Sequence, residues 1–563
     1  MHADYYKDET TRQKLNKRFG ALRTERSSFV SHWKELSRFI QPRRGRFLVT
    51  DRNKGDKRWE EIINSRATLA HRIARAGIFA GIMSPTRPWH TLETSNPDLM
   101  ESAAVRTWLN DVVLVQREIF SQSNLYRMAP RMIGEMLTFG TGAMLHVDSF
   151  DDVARFYTQT VGSYVIAQND KYEVDTFARE FQMTTSQMVE RFGYDKCSYQ
   201  VQCAYDKSDY DAWFDVHHFL LPNEMMKPSS PFADGKPFAS IYYEPGDDTL
   251  DGTLKVEGFN EFPGYFPRWD VTGEDVYATD CPGMTSLGDI KGLQVEEKRK
   301  AQGLDLQVNP PLKGPPSLRN SSEITSLPGG LNIYEPGQSS EGLTPVYNVN
   351  LPFNELRIDI DSVESRINEV FFVDLFLAIS NMKGIQPRNQ LDIMQRHEER
   401  LLQIGPVLES MHNEFLSKLI DRTFNQMARA GILPDPPPEL EGVELNIKFI
   451  SSLAMAQRAV ATESIDKTVA FAGALAGAGW TEALDKVDAD QSVDEYAKAI
   501  GTPPRIIVPD DVVAERRQQR QQMQQQQQAM EMAQNAANTA KMASDAKTGD
   551  KNLLTDMAAA NSG

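Results

Sequence analysis

Cysteine is scarce in this chain: three residues, Cys197, Cys203 and Cys281, among 563. So sparse and odd a set builds no disulfide framework and fits a reducing compartment. No uninterrupted apolar run reaches the roughly 18 residues that a membrane-spanning helix needs. The nearest, 469–480, is rich in Ala and Gly and too short. The opening residues MHADYYKDETTRQK are polar, so no secretion signal is expected there. Excess positive charge is missing too. The net charge of −17 excludes a protein that coats nucleic acid by neutralising phosphates. It does not exclude one past which DNA slides ungripped.

Chemical signatures are also missing. No Gly-x-x-x-x-Gly-Lys-Ser/Thr loop occurs. Gly140-Thr141-Gly142 is a lone Gly-x-Gly that follows an apolar helix pattern (Met132, Met136, Leu137) and precedes a strand, so it reads as a helix stop. His397-Glu398 has no second histidine one helical turn on, and reads as a solvated helix face. His217-His218, with Cys197 and Cys203, is the best candidate for a metal. Adjacent residues of a strand point to opposite faces, so the two histidines do not serve one ion. No Gly-x-Ser-x-Gly elbow is present, and Asp151-Asp152 and Asp247-Asp248 lie in turns, where Asp is an ordinary turn former. No catalytic, cofactor-binding or metal-binding residue is assigned, and the chain reads as a non-enzyme.

What is present is patterned. The length allows roughly three or four domain-sized units. Leu15, Phe19, Leu22, Phe29, Trp33, Leu36 and Ile40 mark one helix face over 11–40. Residues 43–58 are basic and irregular; such a run offers contact to phosphate, but lacking interleaved aromatics it reads rather as an exposed loop or subunit contact. Helices are expected over 60–83 and, in two pieces, over 100–137. Short strands with Gly, Pro and Asp turns fill 143–280, including 143–147, 155–160, 164–168 and 172–181. A helix is opened by Thr184-Thr185-Ser186. Strands that cluster rather than alternate with helices indicate an α+β body.

Further helices are expected over 284–308, 353–376 and 389–430, the last kinked at Gly405-Pro406. The stretch 309–350 between the first two is rich in Pro, Gly and Ser. A break covers 380–387, and a strand 444–450 precedes Ala-rich helices over 453–500. Helix 353–376 is acidic: Glu355, Asp359, Asp361, Glu364, Glu369 and Asp374 stand against Arg357 and Arg366. Nine of the eleven residues 518–528 are Gln. As a helix, 510–544 would run about 50 Å without a wide apolar face. Either it packs against copies of itself or it is disordered, and composition alone favours disorder.

Taken in order, several stretches carry a family resemblance. They are RSSFVSHWKELSRFIQPRRG (26–45), the Ala-Gly-Ile-Met-Ser-Pro turn within 67–89, and segment 138–193. That segment starts Phe-Gly-Thr-Gly-Ala and ends Met-Thr-x-x-Gln-Met-Val-Glu-Arg-Phe-Gly. Val308-Asn309-Pro310-Pro311-Leu312 follows, then 367–376, Gly405-Pro406-Val407 and the run Ser451 to Arg458. The chain resembles the head-to-tail connector, or portal, family of short-tailed, T7-like bacteriophages over about residues 10–510. No single motif is specific; their order and spacing are.

The resemblance implies an α+β ring subunit with long stem and wing helices, small mixed sheets and a C-terminal helical crown or barrel. About twelve subunits would ring a channel for double-stranded DNA. Residues 1–283 would form the wing and body, 284–308 and 351–376 the stem helices, and 309–350 the clip. Residues 377–388 would be the tunnel loop, where Ser380, Asn381, Met382, Lys383 and Gly384 would approach DNA. The kinked wing helix and return strand would span 389–452, the crown 453–510, and a barrel helix or disordered tail 511–563. Relatives tend to open the long helix with a Met-Thr-Ala-Thr-Glu-like run, where this chain has Ile385-Gln386-Pro387-Arg388-Asn389-Gln390.

Glu355, Asp359, Asp361, Glu364 and Glu369 would line the channel as acidic stem residues. Implied partners are copies of the chain, DNA, the terminase large subunit, a tail adaptor, and the major capsid and scaffolding proteins, with no membrane and no cofactor. The implied location is a capsid vertex of the virion, after assembly in the host cytoplasm. Two other readings fare less well. A metal-dependent hydrolase needs a convergent acid or metal cluster, and a capsid shell or scaffold protein does not explain the excursion between two helices.

Overall fold

The computed structural model describes residues 10–50, 55, 58–96, 99–100, 102–149, 153–226, 233, 235–246, 253–313, 344–346, 352–381, 404–440, 442, 445–450, 468–500, 508 and 510–545. α1 (Thr11–Phe39) opens on a reciprocal cap, in which the Thr10 hydroxyl accepts the Gln13 amide and the Gln13 side chain accepts the Thr10 amide. The expected stripe then buries Leu15, Phe19 and Leu22 against Phe219, Ile241 and Tyr243. Each such side chain contributes about 1.5–3 kcal/mol when fully buried. Arg26 interrupts the stripe yet is buried, because it donates to the Gly162 and Tyr164 carbonyls at 2.8 and 2.7 Å.

α2 (Arg66–Ile82) starts later than the apolar pattern indicates. Residues 58–64 form turns instead, because Asn64 caps the helix through its side-chain oxygen on the Arg66 amide. Then come β1 (His90–Thr94), α3 (Ala103–Gln122) and α4 (Leu125–Phe139). Helix α4 ends where Gly140 turns to φ +84, a conformation glycine adopts without strain. The Gly-Thr-Gly segment then seams to another loop: Gly142 N–H donates to the Pro267 carbonyl and Trp269 N–H to that of Gly140, at 2.9 and 2.8 Å. A Cβ on Gly140 would sit 2.6 Å from the Ala278 methyl, so the glycines serve close backbone approach.

β2 (Met144–Ser149) and β3 (Val153–Thr158) form a small antiparallel sheet with β9 (Gly264–Tyr265). A second antiparallel sheet has the order β4-β5-β6-β7-β8. Its strands are β4 (Tyr164–Gln168), β5 (Val174–Thr184), β6 (Trp213–Pro222), β7 (Phe238–Tyr243) and β8 (Lys255–Phe259). One face packs on α1. The other carries α5 (Thr185–Phe192) and α6 (Tyr199–Asp206), where Met188, Phe192, Cys197 and Val201 meet Val216 and Tyr242. The adjacent histidines of β6 part as strand geometry requires. His217 faces Phe19 at 4.7 Å between rings, while His218 stacks on Tyr242 at 3.9 Å. Clustered antiparallel strands beside separate helices make an α+β fold.

After the short α7 (Asn223–Met226), α8 (Pro282–Val308) begins with proline in its first turn, where the missing N–H costs nothing. β10 (Leu312–Lys313) and β11 (Thr344–Pro345) pair across the Pro/Gly-rich excursion. The single helix expected over 351–376 is two: α9 (Phe353–Val370) and α10 (Val373–Asn381). Phe371 and Phe372 break it. Phe371 is buried with its ring edge toward His71 at 6.3 Å, Phe372 lies 6.5 Å from Trp269, and Phe372 takes φ +54 to serve both. α10 continues through Asn381, so the loop expected from 377 is helical as far as 381. Phe376 drives this by packing against Gly77 of α2, where any Cβ would lie 2.2 Å from its ring.

The expected kink at Gly405-Pro406 stands at the edge of the described residues. Helix resumes there, with Ile404, Leu408, Met411, Phe415 and Leu419 buried as the stripe indicates. It contains a π-helical turn, His412–Leu416, before α11 (Ser417–Ala430). β12 (Leu445–Phe449) pairs with β1.

The chain divides into two units. The second gathers 92–111, 435–446 and 458–563. Within it Arg517 of α13 (Asp510–Asp545) pairs with Asp490 of α12 (Ala489–Ile500) at 2.6 Å. The tract whose composition favours disorder is therefore helical. It holds no Gly or Pro, and Gln, Ala, Met, Arg and Glu are all good helix formers.

Gly283 anchors α8 against α4, since a Cβ there would lie 2.6 Å from the Thr138 carbonyl oxygen, whereas Gly288 faces open space. Gly283→Ala is expected to lower stability by about 1–3 kcal/mol. Gly288→Ala is expected to raise it by up to about 1 kcal/mol. Thermal unfolding of the two variants checks this opposition of sign, and equal shifts would count against the α4–α8 contact.

Candidate functional site

The antiparallel pair α8–α9 is the element on which the expected acidic residues fall. Asp289 meets Arg366 at 3.0 Å, and two turns along α8, Glu296 feels Asp359. The two helices therefore run in opposite directions. Ile360, Val363 and Ile367 of α9 and Leu287, Ile290 and Leu293 of α8 are buried. Toward the other end the pair opens to solvent. Leu304, Val308 and Ile358 are 52%, 65% and 68% exposed. These three side chains stand in solvent in the single chain.

A knot of polar side chains holds the buried end. The Gln294 side-chain oxygen accepts the Ile63 and Asn64 amides at 2.7 and 2.8 Å, and its NH2 donates to the Asn64 carbonyl at 2.9 Å. Asn64 in turn donates to Glu297 of α8 and Glu364 of α9, at 3.2 and 2.9 Å. Arg66 reaches Asn368 at 2.8 Å and Glu364 at 3.9 Å. One capping segment thus ties α2, α8 and α9 together. The expected helix over 60–83 missed this knot, although Asn64-Ser65 just before the periodic run is a helix-start signal.

The five expected stem acids separate into different surroundings. On a 3.6-residue repeat, Glu355, Asp359 and Glu369 share one flank of α9 and Asp361 and Glu364 the other. Glu364 is held in the knot. Asp361 faces Arg357 at 3.9 Å with both side chains exposed, a pair of little energetic weight. Glu355, Asp359 and Glu369 are exposed. Burial, with Asp359 close by, holds the Glu296 carboxyl above the usual range. Of the expected loop positions, Ser380 and Asn381 end α10. Met382, Lys383 and Gly384 lie outside the described residues.

A second fixed point joins the body to the π-helical turn. Arg268 donates to Glu414 at 2.8 Å from its backbone and 3.0 Å from its side chain, and to the Tyr172 carbonyl at 2.8 Å. The extra residue of the π turn sits where Glu414 and Phe415 reach Arg268 and Tyr265. A third is Glu135, fully buried. It accepts from Thr160 and the Val161 amide and faces Arg44 at 3.6 Å. Arg44, in the basic run, is therefore a body contact.

Nothing in these arrangements handles a reacting group. Among the described residues no set of three His, Cys, Asp or Glu is placed to hold a metal. His71, His90 and His217 are pushed down to about 4 by burial, so they stay neutral packing groups at pH 7. Burial raises the Cys197 and Cys281 thiols to about 11 and about 12, which leaves them unreactive. The geometry is that of scaffold and surface.

Comparison with known proteins agrees. Residues 12–508 match the family model described as bacteriophage head to tail connecting protein. The chain is 43% identical over 557 residues to a probable portal protein of Bordetella phage BPP-1, covering 99% of both chains. It is 42% identical over 550 residues to the portal protein of Salmonella phage epsilon15, covering 98% of both.

Gln294→Met keeps the side-chain volume but strands two amides and one carbonyl. It is expected to cost about 1–3 kcal/mol, measured by thermal or denaturant unfolding. Arg357→Ala, which removes only the exposed pair with Asp361, is expected to leave the midpoint unchanged.

Proposed function

Since the chain belongs to the bacteriophage head to tail connecting proteins, we propose that its copies close into a ring of about twelve at one capsid vertex and pass double-stranded DNA along the ring axis. Its function is that of a phage portal, a structural role without catalysis. The observation that carries this is the identity of 43% and 42% to two portal proteins over nearly the whole chain. An architecture of anchored helices with an exposed apolar end supports it.

In this reading α8 and α9 are the stem and 309–350 the clip. The residues after α10, Lys383 among them, form the loop nearest DNA, with Ser380 and Asn381 at its helical edge. Exposed Leu304, Val308 and Ile358 are covered by the neighbouring subunit. Glu355, Asp359 and Glu369 then repeat around the channel wall. Two like charges in water repel by about 1 kcal/mol at 4 Å, and salt screens them beyond about 10 Å. Such a wall discourages adhesion without blocking passage, which suits a conduit that DNA must traverse both inward and outward. The terminase large subunit docks for packaging and a tail adaptor later, with capsid and scaffolding proteins around the ring. Parallel copies of α13 pack as a barrel, each covering the small apolar side chains of the next.

Lys383→Glu tests the loop. The variant subunit is expected to assemble normally while packaged or retained DNA per head falls severalfold, read by DNA quantification of purified heads. Normal packaging would remove Lys383 from the channel.

A further inference from the structure

The platform formed by residues 194–212 on the sheet face opposite α1 is absorbed by none of these roles. We propose that it is a docking surface for a lysine- and arginine-rich segment of another protein. The inference does not depend on the channel reading.

The platform is firmly built. Phe192, Cys197 and Val201 pack beneath it on Val216 and Tyr242. Ser198 donates to Glu244 from both its amide and its hydroxyl at 2.8 Å. The Tyr194 hydroxyl donates to the Asp206 carboxylate at 2.9 Å. Two of its aromatics nevertheless point outward: Tyr199 and Tyr210 are 73% and 46% exposed. Tyr210 continues a chain of rings in which Tyr194 and Tyr205 lie 5.9 Å apart and Tyr205 and Tyr210 5.3 Å. Large aromatics held outward on a rigid support are typical of interface anchors, because they offer contact area at low entropic cost.

Charge selects the occupant. Asp195 and Asp206 lie by the Tyr194 hydroxyl, and Asp209 and Asp211 flank Tyr210 in the chain, against Lys196 and Lys207. Phosphate backbones and anionic lipid surfaces are repelled by such a rim. A guanidinium or ammonium group is drawn to the carboxylates and, by cation–π contact, to the ring faces. Arginine, planar and weakly hydrated, gains more than lysine.

The assembled full-length protein is titrated with fluorescein-labelled oligo-arginine and oligo-lysine peptides of equal length. Oligo-arginine is expected to bind more tightly. Its affinity is expected to fall by about tenfold or more in Tyr199→Ser/Tyr210→Ser and in Asp209→Asn/Asp211→Asn. A control that neutralises two exposed acids elsewhere, Glu274→Gln/Asp275→Asn, is expected to bind as the unaltered protein does. Equal binding by all variants would reduce the attraction to overall net charge and overturn the proposal, as would no binding at all. Loss of the oligomer in the tyrosine variant with peptide binding unchanged would overturn it in favour of a contact between copies. The aspartate pair alters only surface charge, so it decides the matter should the tyrosine variant fold poorly.

Discussion

The hydrogen bonds around Asn64 are the constraint on which the placing of the α8–α9 pair depends. A single asparagine at the start of α2 holds Glu297 of α8 and Glu364 of α9, while Gln294 holds its backbone from the other side. Gln294 is buried, so its amide group has no water to turn to, and removing it strands the Ile63 and Asn64 amides. The apolar seam of Ile360, Val363 and Ile367 supplies attraction between the helices but little positional precision. The knot supplies the register, and with it the direction in which the pair leaves the body. Glu414 on Arg268 and Glu135 beneath Arg44 apply the same device elsewhere, each bringing a carboxylate onto a cation or amide from a distant segment.

These fixed points explain how a structural protein can be specific. His71, His90 and His217 are neutral and buried, and the Cys197 and Cys281 thiols are held protonated. What it presents outward is shape, exposed apolar side chains at one end of α8–α9, and carboxylates along one flank of α9. One acidic flank repels weakly; in the proposed ring each carboxylate would recur in every subunit. Neighbours in that ring would cover Leu304, Val308 and Ile358, which a lone chain leaves in water.

Much of this was legible in the sequence wherever local chemistry and burial agree. The α1 stripe, the stop at Gly140, the cap at Thr184 and the opposed histidines of β6 follow from periodicity, glycine freedom, capping and strand alternation. Tertiary demands hid the rest. The break at Phe371-Phe372 carries no Gly or Pro to announce it and arises because two neighbouring rings pack in different places. The late start of α2 reflects partners more than 200 positions away. Of the acidic stripe, the sequence showed the charges but not that Glu364 is engaged in the knot. Likewise, composition argued against the helix at α13, where uninterrupted helix propensity prevails.

In the proposed assembly, copies of this chain enclose a channel walled by α8 and α9. Single-particle electron microscopy of the assembled protein decides this. A closed ring is expected, with a central hole wide enough for a DNA duplex and with α8 and α9 around that hole. A monomer, an open filament, or a ring with α8 and α9 on its periphery would contradict it.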